Sequence, residues 1–476
     1  MKISHPNFEY FVPLFFYGLM VVIYIILLFH STYFSLPNSD FFAYLSQGEN
    51  FFSHPLTSGK HPIGYPVLIY VFEQFRFIQY AGIRGGIFLN ICSFIASLVV
   101  LFHILRRQLQ YLVFAPILLL LLNPLSYGVV LGCTNESVFI LCVLVVWLLR
   151  VQNNRRWAYA AAFFSLLFRH EGIVMIPVLF VCDYMEKKKI YPYVVLYSWL
   201  LLFLSTLSLL TGNAYGGEIQ SRLREIPNTV FLFNTLFLLP FHWSVSSPVL
   251  LMVVLCLFFL GIWLSITEKN IRMIFGSLFL LLYFLMHVFF PDASFRYSYI
   301  ALWFLYPVFL WMIIDFIRLV VRPVFLQKIT YICVAIGICW IGYTMVSLLI
   351  KNPVYPFDRQ YDEEKKYVAE WLDVHTLSPT TVYVIGPWIV DYFVRNPLVH
   401  VSFDTLSPSL LQQKRKDNLI IVIDPYIFRE EGYFFNKYGG EFYRTFSTQF
   451  SDFGFRFLDT IYINKDHWAK LYGRGM

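Results

Sequence analysis

Residues 40–66 read DFFAYLSQGENFFSHPLTSGKHPIGYP and follow the first long apolar run, residues 11–29. Asp40 comes after Asn38 and Ser39, so it starts a helix by capping it, or it offers a carboxylate that takes the proton of an attacking hydroxyl. Tyr44 lies one helical turn on and shares a face with Asp40. Lys60 and His61 supply cationic or donor groups in a loop that Pro62 and Pro66 stiffen and Gly64 lets turn. That loop is either a re-entry turn into the apolar VLIYVF or a contact for a phosphate head group.

Three further stretches carry charge among apolar runs. NPLSYGVVLGCTNESVF (123–139) holds an Asn-Pro break, with Thr134 expected as N-cap and Glu136 suited to the first turn by the helix dipole. FRHEG (168–172) offers Arg169, His170 and Glu171. Arg169 and Glu171 pair across a hairpin tip, or Arg169 grips a phosphate with both forks. PDASFRYSY (291–299) puts Arg296 just before a helix, as a second phosphate candidate or an interface anchor.

The elements that position these residues are membrane helices. The chain of 476 residues is 58% hydrophobic, 20% aromatic and 14% charged, against about 25% charged in soluble domains. Apolar runs recur at 10–30, 84–105, 111–131, 136–150, 157–168, 172–185, 190–211, 248–267, 271–290, 297–320 and 329–350, most of them near the ~20 residues that cross a bilayer. The fold class expected is a polytopic α-helical membrane protein of about 11 transmembrane helices. Arg106-Arg107, Arg150 with Arg155-Arg156, Lys187-Lys188-Lys189, Lys269 with Arg272, and Arg322 with Lys328 are read as cytoplasmic topology anchors. They alternate if 229–243 lies at the outer interface without crossing. Asp40 and the C-terminal region then face outward, and the other candidates gather on that face. The 157–185 hairpin has fewer than the ~40 residues two full crossings need, which places Arg169-His170-Glu171 below the outer surface. Charge at such depth is a functional-site hypothesis.

From residue 351 the composition turns polar. Helical spacing over 361–374, then strands at 380–385, 398–403, 418–425 and one or two over 453–464, predict a small outward α/β domain, 351–476, after a membrane domain, 1–350. The net charge of +7, from 36 basic and 29 acidic residues, sits in short loops, so no nucleic-acid partner is expected. The seven cysteines lack metal-ligand spacing and read as packing residues.

In their order along the chain, Asp40 with Tyr44, HPIGYP, the Asn-Pro turn with Thr134-Asn135-Glu136, and Arg169-His170-Glu171-Gly172 resemble the GT-C superfamily of glycosyltransferases. The likeness is to polyprenyl-phosphate-sugar-dependent enzymes of the protein O-mannosyltransferase and aminoarabinose transferase type. The segments 123–139 and 168–172 also look like GPI mannosyltransferase II-like proteins. The resemblance implies an enzyme in a bacterial inner (plasma) membrane that moves a sugar from a polyprenyl-phosphate donor to a glycan, lipid or protein acceptor. Asp40 matches the acid of the first outer loop, as catalytic base or acceptor-positioning group. A paired second acid is missing, because Phe41 follows. Tyr44, Lys60, His61, Glu136, Arg169, His170, Glu171 and Arg296 are the substrate-binding candidates. No cofactor is implied; a divalent metal shared by Asp40 with Glu136 or Glu171 stays open. The rival from another class is a transporter or flippase of lipid-linked sugars, against which stand the missing internal repeat and the one-sided crowding of polar residues.

Overall fold

The computed structural model describes residues 40–53, 61–75, 81–187, 270–288, 295–320, 360–384, 387–402, 406–414, 417–424, 440–464 and 467–475, with a few isolated positions besides. Lys60, the segment 229–243 and most of the expected spans 10–30, 190–211, 248–267 and 329–350 lie outside the described residues. The chain divides into two units, one of Met1–Pro37 with Ala43–Pro356, the other of Asn38–Phe42 with Phe357–Met476.

The first unit is helical. After α1 (Asp40–Ser53), which belongs to this unit from Ala43 on, and α2 (Gly64–Glu73) come α3 (Ala81–Leu109), α4 (Phe114–Leu122), α5 (Pro124–Leu131), α6 (Glu136–Val151), α7 (Arg155–Ser165), α8 (Met175–Lys187), α9 (Ile271–Val288) and α10 (Phe295–Val320). Among the described residues α3 alone is long and apolar enough to cross a membrane unaided, and α4 with α5 form a bent pair that would make a second span. The run expected over 111–131 is this bent pair. It breaks at Asn123-Pro124, where the helices meet at 64°. Pro124 has no N–H to continue the ladder and disfavours helical geometry at Asn123, whose ψ is 123°. Asn123 caps the new helix by accepting from Leu125 N at 2.9 Å and donates to Tyr306 Oη at 3.2 Å, which ties the break to α10.

Helices α7 and α8 are short, as the hairpin length requires. Their 11 and 13 residues rise about 16 and 20 Å, less than a ~30 Å hydrocarbon layer. A 3-10 turn, His170–Val174, joins them at the tip. Trp147 locks α6 to α9: its Nε1 donates to Arg272 O at 2.8 Å and its ring stacks on Phe275 and Phe304.

The second unit is built on α11 (Gln360–His375), β1 (Thr380–Tyr383), α12 (Pro387–Phe393), β2 (Val399–Val401), α13 (Pro408–Gln413), β3 (Leu419–Ile423), α14 (Gly440–Gln449), β4 (Arg456–Asn464) and β5 (His467–Arg474). The sheet runs β2-β1-β3-β5-β4. β1 pairs parallel with β2 and β3, and the β4–β5 hairpin adds antiparallel to β3. Every residue of β3 is buried, as a central strand covered on both faces must be. The expected strands and α11 are found. The β5 strand and helices α13 and α14 were not read from the sequence. Phe41 and Phe42 belong to this unit and set their rings edge-on to Tyr392 at 5.7 and 5.3 Å.

Candidate active site

Two groups of the candidate residues come together in the first unit. In one, Tyr44 on α1 is 2% exposed and its ring meets His61 at 4.8 Å and Tyr65 at 5.2 Å, both edge-on. Gln47, one turn further along α1, brackets the backbone of His61. Its Nε2 donates to His61 O and its Oε1 accepts from His61 N at 3.0 Å. One helix face thus holds His61 by ring and by backbone. Gly48 lets α1 come this close to α2, since a Cβ there would lie 2.4 Å from Pro66 O.

The second group forms around Arg169. Its Nη1 donates to Glu136 Oε1 at 2.5 Å and to Asn135 Oδ1 at 3.0 Å, and its Nη2 donates to Glu171 Oε1 at 2.5 Å. Tyr297 in the first turn of α10 places its ring 5.0 Å from the guanidinium carbon. Tyr283 on α9 donates to Tyr297 O at 3.2 Å. Burial works against the Arg169 charge, but Glu171 and Glu136 outweigh it and hold the guanidinium protonated well above its usual range. Asn135, and not Thr134, is the N-cap residue of α6. Its amide donates to Phe168 O at 2.7 Å and its carbonyl accepts from Arg169, while Thr134 turns its hydroxyl back to Val129 O at 3.2 Å. The capping expected of Thr134 is thereby corrected: the Asn side chain spans to the hairpin tip and leaves the helix end to Asn135's backbone.

The two groups are linked. Gly64 N donates to Leu167 O at 2.6 Å, which joins the turn before α2 to the hairpin tip. Tyr65 is fully buried between them and donates to Asn90 Oδ1 at 3.3 Å. Burial first, then Cys133, Tyr44 and Glu136, push its phenol well above the usual range, so Tyr65 is a neutral donor.

Both carboxylates that the sequence marks near the tip are thus committed to one guanidinium, and the trio carries a net charge of −1. Such a cluster accepts hydrogen bonds from hydroxyl or amine groups more readily than it binds an anion. Of the two readings of Arg169, the pairing with Glu171 is present and extends to Glu136. His170 is exposed beside the cluster. Arg296 lies in the first turn of α10, next to Tyr297. Asp40 is the first residue of α1. Among the described residues no group of three or more His, Cys, Asp and Glu is arranged to hold a metal ion. Sequence reasoning missed Gln47, Tyr65, Asn90, Tyr283 and Tyr297; the only signal for Gln47 is its place one turn after Tyr44.

No protein-family model matches the chain, and no curated protein matches it in sequence. Its structure is similar to the crystal structure of ArnT from Cupriavidus metallidurans bound to undecaprenyl phosphate, with a TM-score of 0.57 at 13% identity over 96% of this chain and 97% of that one. The likeness shows a fold that this chain shares with that protein along nearly the whole of both chains.

Proposed function

We propose that the protein is a membrane-embedded glycosyltransferase that moves a sugar from a polyprenyl-phosphate donor to a glycan, lipid or protein acceptor on the outer face of a bacterial inner membrane. The observation that carries the reading is the end-to-end fold likeness to an ArnT that holds undecaprenyl phosphate. The buried polar cluster at the hairpin tip supports it, because an apolar bundle has no packing need for two carboxylates and a guanidinium.

A sugar on a lipid phosphate already has a good leaving group, so the protein needs a base and a cation more than a strong acid. Asp40 is assigned as the base that takes the acceptor hydroxyl's proton. Lys60, with His61 and Arg296, is assigned to the charge of the departing phosphate. The reacting carbon passes through an oxocarbenium-like state, and a single displacement inverts it. Glu136 and Glu171, oriented by Arg169, are assigned to the hydroxyls of the transferred sugar, and Tyr44 to the wall behind it.

The test is transfer from a panel of radiolabelled polyprenyl-phosphate sugars in membranes holding wild type or Asp40→Asn. The expected result is label moving to lipid, glycan or protein in the wild type and lost in the folded variant. Translocation without product, unchanged by Asp40→Asn, would replace the enzyme by a transporter of lipid-linked sugars.

A further inference from the structure

A second buried charge network sits at the other end of the same helices. Arg150 Nη2 lies 3.1 Å from Asp183 Oδ1 and 3.0 Å from Glu186 Oε2. Arg155 reaches Asp183 Oδ1 at 3.6 Å and pairs closely with Glu186. Tyr159 donates to Asp183 Oδ2 at 3.2 Å. Arg150 and Asp183 are each only 2% exposed. The expectation that Arg150 and Arg155 are topology anchors alone is corrected by these partners. Two guanidiniums and two carboxylates cancel, so the network carries no net charge for a ligand to answer.

Its placement gives it another use. Glu136 and Arg150 lie fourteen positions apart on α6, close to four full turns, so both sit on one face about 21 Å apart. Arg155 and Arg169 are also fourteen positions apart, and Glu171 and Glu186 fifteen. The α7–α8 hairpin is thus tied to α6 at both ends: by Arg169 to Glu136 at the tip, and by Asp183 and Glu186 to Arg150 at the base. A slide of the hairpin by one turn, about 5.4 Å, would break both sets at once. Breaking either leaves uncompensated buried charge, which is the costly outcome for an ion pair out of water.

We infer that Asp183, with Arg150 and Glu186, is a positioning residue: it sets the axial register of the hairpin against α6 and so holds Arg169 and Glu171 against Glu136. The inference deepens the proposed transfer reaction and rests on it for the role of the tip, but not for the coupling between base and tip.

The test is hydrogen exchange by mass spectrometry on the full-length protein in lipid nanodiscs, wild type against Asp183→Asn. The expected result is exchange about tenfold faster in the tip, 165–172, some 20 Å from the change, with the Gln360–His375 helix as in wild type. The partly exposed Glu186→Gln gives a milder version of the same pattern and serves if Asp183→Asn does not fold. Faster exchange confined to 150–155 and 183–187 would overturn the inference and make the network a local staple; so would an equal rise throughout the first unit. The second readout is transfer itself. Asp183→Asn and Glu136→Gln are expected to be non-additive in kcat, with KM for the donor little changed by Asp183→Asn; additive losses count against the inference. If wild type transfers nothing, the exchange pattern still decides the coupling, so the two failures are told apart.

Discussion

Arg169 Nη1 and Glu136 Oε1 meet at 2.5 Å across 33 residues of sequence, both buried, at the point where the tip of a short hairpin reaches the first turn of α6. Glu171 takes the other fork of the same guanidinium. Replacing Arg169 by Met takes the cation from one buried carboxylate, Glu136, and one partly buried, Glu171. The expected loss is about 3–5 kcal/mol of stability. Glu136→Gln keeps an acceptor for Arg169 and removes the excess negative charge, so its loss is expected to be smaller. Thermal unfolding in detergent ranks the two; equal losses would mean that the pair contributes through packing alone.

Gly64 is where the turn before α2 touches that tip. A Cβ at this position would lie 2.7 Å from Leu167 O, the acceptor of the Gly64 N–H. Neither backbone can yield without losing the hydrogen bond. Gly64→Ala is expected to cost about 1–3 kcal/mol and to impair use of the donor in the transfer assay, because His61 and the tip separate. A Gly64→Ala protein with wild-type melting and turnover would show that this approach is incidental.

Tyr65 offers a test by pH. Its phenol is held protonated above the usual range by burial and by neighbouring Cys133, Tyr44 and Glu136. A group whose folded pKa is raised adds stability below its unfolded value, near 10 for tyrosine, and that contribution is lost as pH rises toward the folded value. Wild type should therefore lose stability above about pH 10 more steeply than Tyr65→Phe, which cannot ionise. At neutral pH the variant loses only the hydrogen bond to Asn90 and costs about 0.5–1.5 kcal/mol. Parallel stability–pH curves would remove Tyr65 from the account.

The sequence made the frame legible where apolar length or strand alternation is strong. The α3 run, the break at Asn123-Pro124 and the buried β3 strand LIIVI each follow from local composition. Long-range partners were not legible. Arg150 and Arg155 read as loop charges because Asp183 and Glu186 lie some thirty residues on, and nothing local marks those acids as partners. Asn135 looked secondary to Thr134 because capping preference ranks residues by the helix they begin, while here the side chain answers to Phe168 and Arg169 in another element. β5 escaped because HWAKLYGR puts small or charged residues between few apolar ones; Ala469 and Leu471 are buried only once β3 and β4 flank them.

The end of β5 carries the last expectation. Arg474 Nη2 donates to Leu411 O at 3.1 Å and Lys414 O at 3.0 Å, carbonyls at the C-terminal end of α13. Its Nη1 donates to Phe453 O at 3.1 Å, and its guanidinium lies 4.7 Å from the Phe455 ring centre. A cation at a helix C-terminus also answers the negative end of the helix dipole. One side chain therefore joins a strand, a helix end and the turn before β4. Arg474→Ala is expected to cost the second unit about 2–4 kcal/mol, and Arg474→Lys most of that, because an ammonium has no planar fork to reach carbonyls on two elements. Limited proteolysis reads this directly: cleavage within 405–455 should quicken in both variants. Protection equal to wild type would show that the sheet holds α13 without Arg474.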